Sequence, residues 1–552
     1  MRQIFLLGFA LFVFTGCGKN DSDMPSDPDP VPFSYKQITV DGRFTGLDYK
    51  GTSRTPAVKV TFGAPLDQGT IATSITLKDK NASTLSFTFL SSNNDSTIVI
   101  KPLFPLTPFT AYELKFSGGL KSKAGGTFNS PFQLSLTTGI DSTDKFPRIS
   151  RDSLLTLIQK QTFRYFYNLG HPVSGMARER NTSGDIVTTG GTGFGLMAIP
   201  VAIERKFITR QEGFNRVETI VNFLTTKAAS FHGAYPHWLN GSTGMVVPFS
   251  EKDNGADLVE TSFLMMGLIT ARQYFNEINI AETKLREDIN QLWKKVEWDW
   301  FRRNGGNVLY WHWSPNYEWA MNMAIQGWNE CLITYVLAAS GNDYTIPKSV
   351  YDIGFARNGA IKNNISYYGT ELPLGEPFGG PLFFSHYSFL GLNPNGLSDS
   401  YADYRKQVVN HSKINYEYCK ANPLNNYGYS QFCWGLTASD IKDGYTASSP
   451  TNDVGVIAPT AAISSIPFTP NESMQAIEFF YYQLGDKIWG QYGFIDAFSL
   501  NEPWFANSYL AIDQGPQIVM IENYRTGLVW NLFMSAPEIK NGLTRLGFSF
   551  NP

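Results

Sequence analysis

The start of a buried helix recurs six times in this 552-residue chain. Each start sets a glycine, a small hydroxyl residue or a carboxylate before a largely apolar run, as in residues 258–271 and 517–532. One buried helix, one outer helix and their loops would fill the interval between two starts, so the spacing predicts a helical-hairpin repeat. Successive starts are 65, 72, 58, 73 and 57 residues apart, measured between residues 190, 255, 327, 385, 458 and 515.

Six helical hairpins predict that residues 147–552 fold as an all-α domain, an (α/α)6 toroid. The inner helices of such a ring are apolar nearly all round, whereas the outer helices are amphipathic. The N-terminal ends of the inner helices would meet on one face, so acidic residues there would share one cleft. This architecture predicts an enzyme. The predicted outer helices span residues 153–166, 210–228, 284–298, 401–419 and 473–484.

Residues 34–141 carry a different pattern, that of a small all-β sandwich. Apolar and polar residues alternate in short segments, with glycine, proline, asparagine and serine in the turns between them. This alternation is typical of half-buried strands at sandwich spacing. The segments VKVTFGAPLD and FQLSLTT resemble those of a bacterial immunoglobulin-like (Ig-like) module, which implies a spacer or positioning role. Carbohydrate binding is the alternative role, and we expect no catalytic residue here.

The N-terminus, residues 1–17, predicts export and lipid anchoring. Arg2 precedes an apolar run over residues 4–14, which is typical of a secretory signal and too short for a permanent transmembrane helix. The small residues before Cys17 resemble a bacterial lipobox, which implies lipidation of the Cys17 thiol; an ordinary signal peptide is the alternative. Residues 18–33 contain several prolines and predict an extended tether.

The early acids of this tether resemble the surface-export signals of Bacteroidetes lipoproteins. We therefore expect a protein that is lipid-anchored to the bacterial outer membrane at the cell surface. An anchor that faces the periplasm is the alternative.

Composition argues against several kinds of partner and cofactor. The net charge of −3 leaves no basic surface for nucleic acid, so we expect no nucleic-acid partner. The six histidines are scattered, and no spacing resembles a zinc site, so we expect neither a metal nor another cofactor. Cys419 and Cys433 are close enough in sequence for a disulfide bridge, whereas Cys331 is predicted to be a buried packing residue. We expect a monomer.

Three acids stand at the start of the second repeat. Asp253, Asp257 and Glu260 are three, four and seven residues apart, which on one helix would put their side chains on one side near its N-terminus. Carboxylates there can simply cap the helix and favour its dipole. The helix that follows is apolar, however, and a buried helix has no solvent for three charges unless a cleft supplies it. These residues are therefore predicted to line a cleft.

Glu330 opens the third repeat, after Trp328 and directly before an apolar run. A carboxyl surrounded by aromatic and aliphatic side chains keeps its proton near neutral pH, as a general acid for a glycosidic oxygen must. The alternative is a buried glutamate that is satisfied by its own helix start. Asp513 and Asp453 precede later repeats and are predicted at the rim of the cleft, with helix capping as the alternative for Asp513.

Aromatic residues crowd the loops before these acids. They make up 14% of the chain, which is more than core packing needs. The remaining aromatic side chains are available to stack on the C–H faces of sugars. Residues 311–319 hold three tryptophans and a tyrosine, a set that is costly to bury entirely. Some of these rings belong to the core, but we expect the loops to bind a sugar chain. The candidate platforms are Trp238, Trp311, Trp313, Trp328, Trp489 and Trp504.

Four longer segments together resemble one family. They are similar to the glucoamylase-like domain of bacterial lipoproteins, the domain of the bacterial β-1,2-glucanases of glycoside hydrolase family 144. The resemblance covers residues 150–550. It implies an (α/α)6 barrel and inverting hydrolysis of a glucan substrate, β-1,2-glucan, to sophorose or short sophoro-oligosaccharides. The segments are DNGADLVETSFLMMGL, QGWNECLITYVLAAS, DVGVIAPTAAISSIPF and DQGPQIVMIENYRTGLVW.

The resemblance also implies roles for individual residues. It puts the general acid at Glu330 and essential cleft carboxylates at Asp257 and Glu260, with Asp253 as a substrate contact. Asp513 matches the late aspartate of the family. Of the two candidates for the general base, Asp513 is preferred to Asp257. Four alternatives stay open: an exo-acting hydrolase, a hydrolase for another glucan linkage, a lyase, and a non-catalytic glycan-binding lipoprotein.

Overall fold

The computed structural model describes residues 30–551, and the chain divides into two compact units, residues 1–139 and 140–552. The predicted signal, Cys17 and most of the predicted tether lie outside the described residues. Between residues 30 and 551, no helix combines the length and the apolar character that crossing a bilayer requires.

The first unit is a sandwich of two β-sheets. Its strands are β1 (Tyr35–Val40), β2 (Asp48–Thr52), β3 (Val58–Phe62), β4 (Ile75–Asp79), β5 (Thr84–Leu85), β6 (Phe87–Ser92), β7 (Thr97–Pro102), β8 (Ala111–Phe116) and β9 (Phe132–Thr138). One sheet has the order β1–β3–β7–β6, and the other has the order β2–β9–β8–β4–β5, in which β2 runs parallel to β9. Val58, Val60 and Phe62 are buried while Lys59 is exposed, so the period-two pattern forms the core.

The second unit is mainly helical, with short sheets in its loops. Its longer helices are α1 (Arg151–Tyr167), α2 (Thr189–Glu204), α3 (Arg210–Thr226), α4 (Leu258–Tyr274), α5 (Ile280–Lys294), α6 (Leu332–Ser340), α7 (Tyr404–Ala421), α8 (Pro459–Ser464), α9 (Pro470–Glu478), α10 (Ala511–Arg525), α11 (Leu528–Ser535) and α12 (Pro537–Leu546).

Two kinds of helix alternate from α1 to α10. The even-numbered helices are buried along nearly their whole length, whereas the odd-numbered helices bury one face. Buried helices contact buried helices: α2 packs against α4 and α10, α4 also packs against α6, and α8 packs against α10. Apolar runs and amphipathic runs in the sequence therefore correspond to two layers of helices.

The closest of these contacts joins α2 to α4 at Gly193 and Gly267. A Cβ added at Gly193 would lie 2.1 Å from the carbonyl oxygen of Phe263, and one at Gly267 would lie 2.2 Å from that of Gly193. Only glycine lets two backbones approach so closely. The contact also holds the N-terminal ends of both helices side by side, where the acids lie.

Two predicted helix starts are wrong. No α-helix begins at residues 385–386, where Leu382–Ser385 and Ser388–Leu390 form 3₁₀ turns, because Gly391 and Pro394 interrupt the apolar run. The last start lies inside a helix: α10 begins at Ala511, so Asp513 stands in its first turn and not before it.

The cysteines form no bridge among the described residues. Cys331, Cys419 and Cys433 are free and buried. The disulfide considered for Cys419 and Cys433 is therefore not formed.

Candidate active site

Asp257 and Glu260 take their positions from the start of α4. Asp257 is the N-cap residue, and its Oδ1 accepts hydrogen bonds from the backbone N–H groups of Val259 at 3.0 Å and Glu260 at 2.9 Å. Glu260 Oε2 accepts the N–H of Gly190 at 2.7 Å, in the first turn of α2. A side chain at Gly190 would collide with that carboxylate, since its Cβ would lie 2.6 Å from Oε2. The ends of two buried helices are thus joined by one carboxylate.

Asp253 joins these acids through a loop and not through helix periodicity. It lies five residues before α4 and is 4% exposed. The one-helix argument for its orientation is therefore wrong, because the helix begins only at Leu258. Two histidines hold the carboxylates together instead, and we call Asp253, Asp257, Glu260, His237 and His312 the His–acid cluster.

The two histidines contact the same pair of carboxylate oxygens. His237 Nδ1 lies 3.3 Å from Asp257 Oδ2 and 3.7 Å from Asp253 Oδ2. His312 Nε2 lies 3.5 Å and 3.4 Å from these two atoms. His237 Nε2 also lies 4.0 Å from Glu260 Oε1. Strand pairing places His312 next to Asp257, since residues 312–313 pair antiparallel with residues 256–257.

Charges within the cluster balance one another. Burial opposes the protonation of His237, but the carboxylates of Glu260, Asp253 and Asp257 outweigh it and hold the His237 pKa well above its ordinary value. Burial likewise opposes the ionisation of Asp257, but His237 and His312 outweigh it and hold the Asp257 pKa below its ordinary value. Both groups are therefore charged near neutral pH.

The cluster also contains the residues that could hold a metal ion. Nδ1 of His237 and carboxylate oxygens of Asp253 and Asp257 lie within 4.8 Å of one another. Paired imidazolium and carboxylate groups account for the same arrangement without an ion. The expectation of no metal stays a prediction.

Glu330 stands in the turn directly before α6 and is buried. Its backbone carbonyl oxygen accepts a hydrogen bond from the Ser388 hydroxyl, which itself accepts the N–H of Ile333 at 3.0 Å. Burial raises the pKa of the Glu330 carboxyl to about 7, with smaller contributions from the charges of Glu260 and Asp257. Glu330 can therefore hold a proton near neutral pH.

A second group of carboxyls surrounds Asp513. Asp496 lies near enough for its charge to raise the pKa of Asp513, and both side chains are buried. Asp440 lies behind them: its N–H donates to Asp496 Oδ2 at 2.7 Å, and its carboxylate accepts from Arg180 at 3.1 Å. Among residues 30–551, no N–H or O–H donor reaches Asp496 Oδ1 or Asp513 Oδ2.

Two carboxyl groups bond to each other only when one of them carries a proton. Burial raises the pKa of both Asp496 and Asp513, and the charge of Asp496 raises that of Asp513 further. The pair therefore keeps at least one proton near neutral pH.

Tyr387 lies near both sets of acids. Burial raises the pKa of its hydroxyl well above the ordinary value, and the charges of Asp513, Tyr445, Glu330 and Glu260 raise it further. The ring thus lies within reach of both sets of acids, in the segment between the two 3₁₀ turns.

The predicted aromatic platforms divide between the cluster, the core and the loops. Trp238 packs against Phe249, whose ring stacks on His237 with 4.3 Å between centroids. Trp311 lies next to His312 and is half-buried. Trp504 is half-buried in a short strand pair.

The other three rings pack mainly against protein. Trp328 is 5% exposed and packs against Phe389 and Tyr404. Trp489 packs against Tyr481 and Phe494. Trp313 faces a separate group of rings that contains Trp300 and Phe231.

Asp453 is held by its own neighbours. Its two carboxylate oxygens accept four hydrogen bonds, of 2.9 to 3.1 Å, from Tyr429, Gly455, Tyr418 and Asn426. A carboxylate whose acceptor positions are filled in this way ties loops together, and the structure gives it no free position toward a ligand.

Sequence reasoning missed His237, His312, Asp496 and Tyr387. His237 and His312 stand in the aromatic segments that the sequence did single out, at Pro236-His237-Trp238 and Trp311-His312-Trp313. That signal could have suggested them. The carboxyl pair of Asp496 depends on a loop conformation that has no sequence pattern.

Comparison with known proteins accounts for both units. Residues 39–138 match a family model described as "Bacterial Ig-like domain", and residues 322–537 match one described as "Putative glucoamylase". An endo-β-1,2-glucanase from Chitinophaga pinensis, in complex with sophorotriose and glucose, is 53% identical with a TM-score of 0.71; the match covers 73% of this chain and 99% of that chain. A β-1,2-glucanase from Parabacteroides distasonis is 36% identical with a TM-score of 0.71, over 94% of this chain and 73% of that chain.

One curated relative is an exo β-1,2-glucooligosaccharide sophorohydrolase (non-reducing end) of Parabacteroides distasonis. It is 46% identical over 418 residues, which cover 72% of this chain and 58% of that protein. The chain thus spans little more than half the length of this relative. The predicted Ig-like module and the resemblance of the helical unit to glucoamylase-like domains are confirmed.

Proposed function

This chain belongs to the glucoamylase-like family, and we propose that it is a glycoside hydrolase that cleaves β-1,2-glucan. One observation carries the proposal: Glu330, a buried carboxyl with a pKa of about 7, and Asp513 of the pair Asp496–Asp513 both lie within electrostatic reach of Tyr387. Glycoside hydrolysis needs one carboxyl that keeps its proton and a second that accepts one.

In the proposed inverting reaction, Glu330 donates its proton to the glycosidic oxygen while the bond from that oxygen to the anomeric carbon breaks. A water molecule attacks this carbon from the opposite face and gives up a proton to Asp513. Carboxyl groups about 6.5–9.5 Å apart leave room for such a water. A relay through further waters or a sugar hydroxyl would serve a longer distance.

Asp513 can act as a base because Asp496 can take its proton. When the shared proton lies on Asp496, Asp513 is a free carboxylate next to the cleft. The N–H that Asp440 donates to Asp496 favours the ionised form of Asp496, so moving the proton from Asp513 to Asp496 is the step that limits Asp513 as a base. Asp257 is the weaker candidate for the base, since its two histidine contacts hold its pKa low.

The His–acid cluster is proposed to bind substrate. Its charged groups are buried and satisfied mainly by each other, and Asp253 Oδ1 accepts no hydrogen bond from the described residues. Sugar hydroxyl groups are donors that could fill this position. Glu260 would act in the same site, fixed by Gly190.

Three further features belong to the proposal. The buried elements form an (α/α)6 toroid. Five of its six inner elements are the helices α2, α4, α6, α8 and α10, and the 3₁₀ turns of residues 382–390, which contact α6 and α10, take the sixth place. The products are sophorose or short sophoro-oligosaccharides, as the activities of the relatives suggest. The chain acts as a monomer, lipid-anchored through Cys17 to the outer membrane, as its N-terminal sequence suggests.

The test is incubation of the soluble form, which starts after Cys17, with linear β-1,2-glucan. We expect a ladder of oligosaccharides by chromatography if cleavage is internal, or sophorose alone from the outset if it is exo-acting. Proton NMR of the first product formed distinguishes the mechanisms, since inversion gives the α-anomer from a β-linkage. A lack of products from β-1,2-glucan, with laminarin and starch also intact, would refute hydrolysis and favour a glycan-binding protein.

A further inference from the structure

A cavity separate from the His–acid cluster lies beside the loop that contains His312. Its cavity volume is about 480 Å³, within the range of roughly 300–1,000 Å³ that ligand pockets have. Trp300, Trp313 and Trp319 line it, and no member of the His–acid cluster does. We call it the tryptophan hollow.

Strand geometry separates this hollow from the His–acid cluster. Successive side chains of a strand point to opposite faces, and His312 and Trp313 are neighbours in the strand that pairs with residues 256–257. His312 faces Asp253 and Asp257, whereas Trp313 faces Trp300, with 5.5 Å between ring centroids. The two sites therefore lie on opposite sides of one strand pair.

The rings of the hollow are held in fixed orientations. Trp300 stacks on His232 with 3.5 Å between centroids and 11° between planes, and His232 in turn contacts Glu297 at 2.7 Å. Trp319 lies 4.7 Å from Trp300. All three tryptophans are nevertheless half-buried and not sealed in the core. A ligand that binds to rings already fixed in place loses little further side-chain entropy.

The rim of the hollow is polar and conformationally strained. Arg303, Asn304 and Glu318 line it with φ angles of 51°, 63° and 48°. Residues other than glycine adopt this left-handed region at a cost, and such strain concentrates at ligand-binding sites. The guanidinium of Arg303 lies 5.6 Å from the centroid of Trp319, and Asn304 and Glu318 are exposed. Hydrogen-bonding groups thus surround an aromatic floor.

We propose that the tryptophan hollow is a second glycan-binding site, which holds a β-1,2-glucan chain outside the catalytic cleft. The proposal rests on the proposed function for the identity of the sugar. Aromatic faces attract the C–H groups of a pyranose ring, and the amide, guanidinium and carboxylate of the rim match its hydroxyl groups. If the hollow served a protein partner instead, substitutions in it would leave the retention by β-1,2-glucan unchanged.

The hollow would act on long chains and not on short ones. The loop that carries it is fastened to the loop before Asp257, since the Ser314 hydroxyl donates to Asn254 at 2.6 Å and the Tyr317 hydroxyl to Glu251 at 2.7 Å. A polymer held at the hollow would stay beside the His–acid cluster between cleavage events. We expect a short oligosaccharide to occupy the cleft alone and so to gain nothing from the hollow.

The test uses the protein with Glu330→Gln, so that the glucan is not consumed. Retention in native gels that contain linear β-1,2-glucan is measured for three proteins. They are the Glu330→Gln parent, the parent with Trp319→Ala added, and the parent with Asn304→Arg added. Asn304→Arg fills the hollow from an exposed position and leaves the packed rings intact. Tyr524→Ala, which removes a 47% exposed ring from the last turn of α10, is the matched control.

We expect Kd from gel retention to rise roughly threefold to tenfold for both hollow variants and to stay unchanged for the control. With Glu330 restored, Asn304→Arg should slow hydrolysis of the polymer and leave hydrolysis of a short sophoro-oligosaccharide unchanged. Retention equal to that of the parent in both hollow variants would overturn the inference, even if hydrolysis is intact. Weakened retention in a protein that hydrolyses no β-1,2-glucan would support the site and refute the proposed function instead.

Discussion

The pKa of Glu330 leads to a quantitative prediction for Glu330→Gln. With a pKa of about 7, half of the Glu330 carboxyls carry a proton at pH 7. With the ordinary carboxyl pKa of 4.5, only about one in 300 would carry a proton at pH 7. Burial therefore enlarges the active acid fraction roughly 150-fold at neutral pH. Because the proton is lost as pH rises, the wild-type rate should fall about tenfold per pH unit above pH 7.

Glutamine at this position keeps the shape of the side chain and removes the proton. We expect kcat on β-1,2-glucan to fall by about 10²–10⁴-fold, the usual contribution of a general acid. The assay is the initial rate of reducing-end release between pH 4 and pH 9. A matched control is Glu287→Gln, on the exposed side of α5.

A substrate with a good leaving group separates the acid role from a structural one. The dinitrophenolate group of a dinitrophenyl β-sophoroside leaves without protonation. Relative to wild type, Glu330→Gln should therefore hydrolyse this substrate far better than it hydrolyses the glucan. Its rate should also lose the decline above pH 7. A variant that keeps more than a tenth of the wild-type rate on glucan, or that keeps the alkaline decline in place, would refute the reasoning.

Three further substitutions test other parts of the structure. Asp496→Asn removes the charge that raises the pKa of Asp513, so the acidic limb of the kcat profile should move to lower pH; an unchanged limb would contradict the shared proton. Glu522→Ala leaves Arg205 without its paired hydrogen bonds of 2.7 and 2.8 Å, and urea denaturation should show a loss of about 3–5 kcal/mol in the free energy of unfolding. Asp453→Asn should lower that free energy by about 1–3 kcal/mol and leave kcat near wild type, whereas a large fall in kcat in a stable protein would restore its substrate role.

Much of the fold could be predicted because it depends on local patterns. Apolar runs of helical period became buried helices, and Asp257 became an N-cap, since a carboxylate before a buried helix satisfies its first N–H groups. Glu330 was predictable for the same reason: a carboxyl beside an apolar run is buried with that run. Residues 385–386 show the limit, because an apolar run gives no helix when its length is cut short.

The rest of the candidate site depends on long-range geometry. His312 reaches the acids only through the pairing of residues 312–313 with residues 256–257, which neither segment encodes by itself. Trp328 was expected to stack on sugars, yet it is 5% exposed and packs on other rings, because a large ring gains more from burial than from exposure. Sequence composition counts the rings but cannot divide them between core and cleft.

The three groups of acids in the cleft limit negative charge in three different ways, and these differences support their separate roles. Asp257 stays ionised because two histidines contact it. Glu330 has no cation beside it among the described residues and keeps its own proton. Burial and the charge of Asp496 raise the pKa of Asp513, so the Asp496–Asp513 pair keeps a proton. Environments that push carboxyl pKa values apart in this way separate a binding group, an acid and a base among chemically similar side chains. A structure in which all these carboxyls were neutralised by the same cations would have offered no such division.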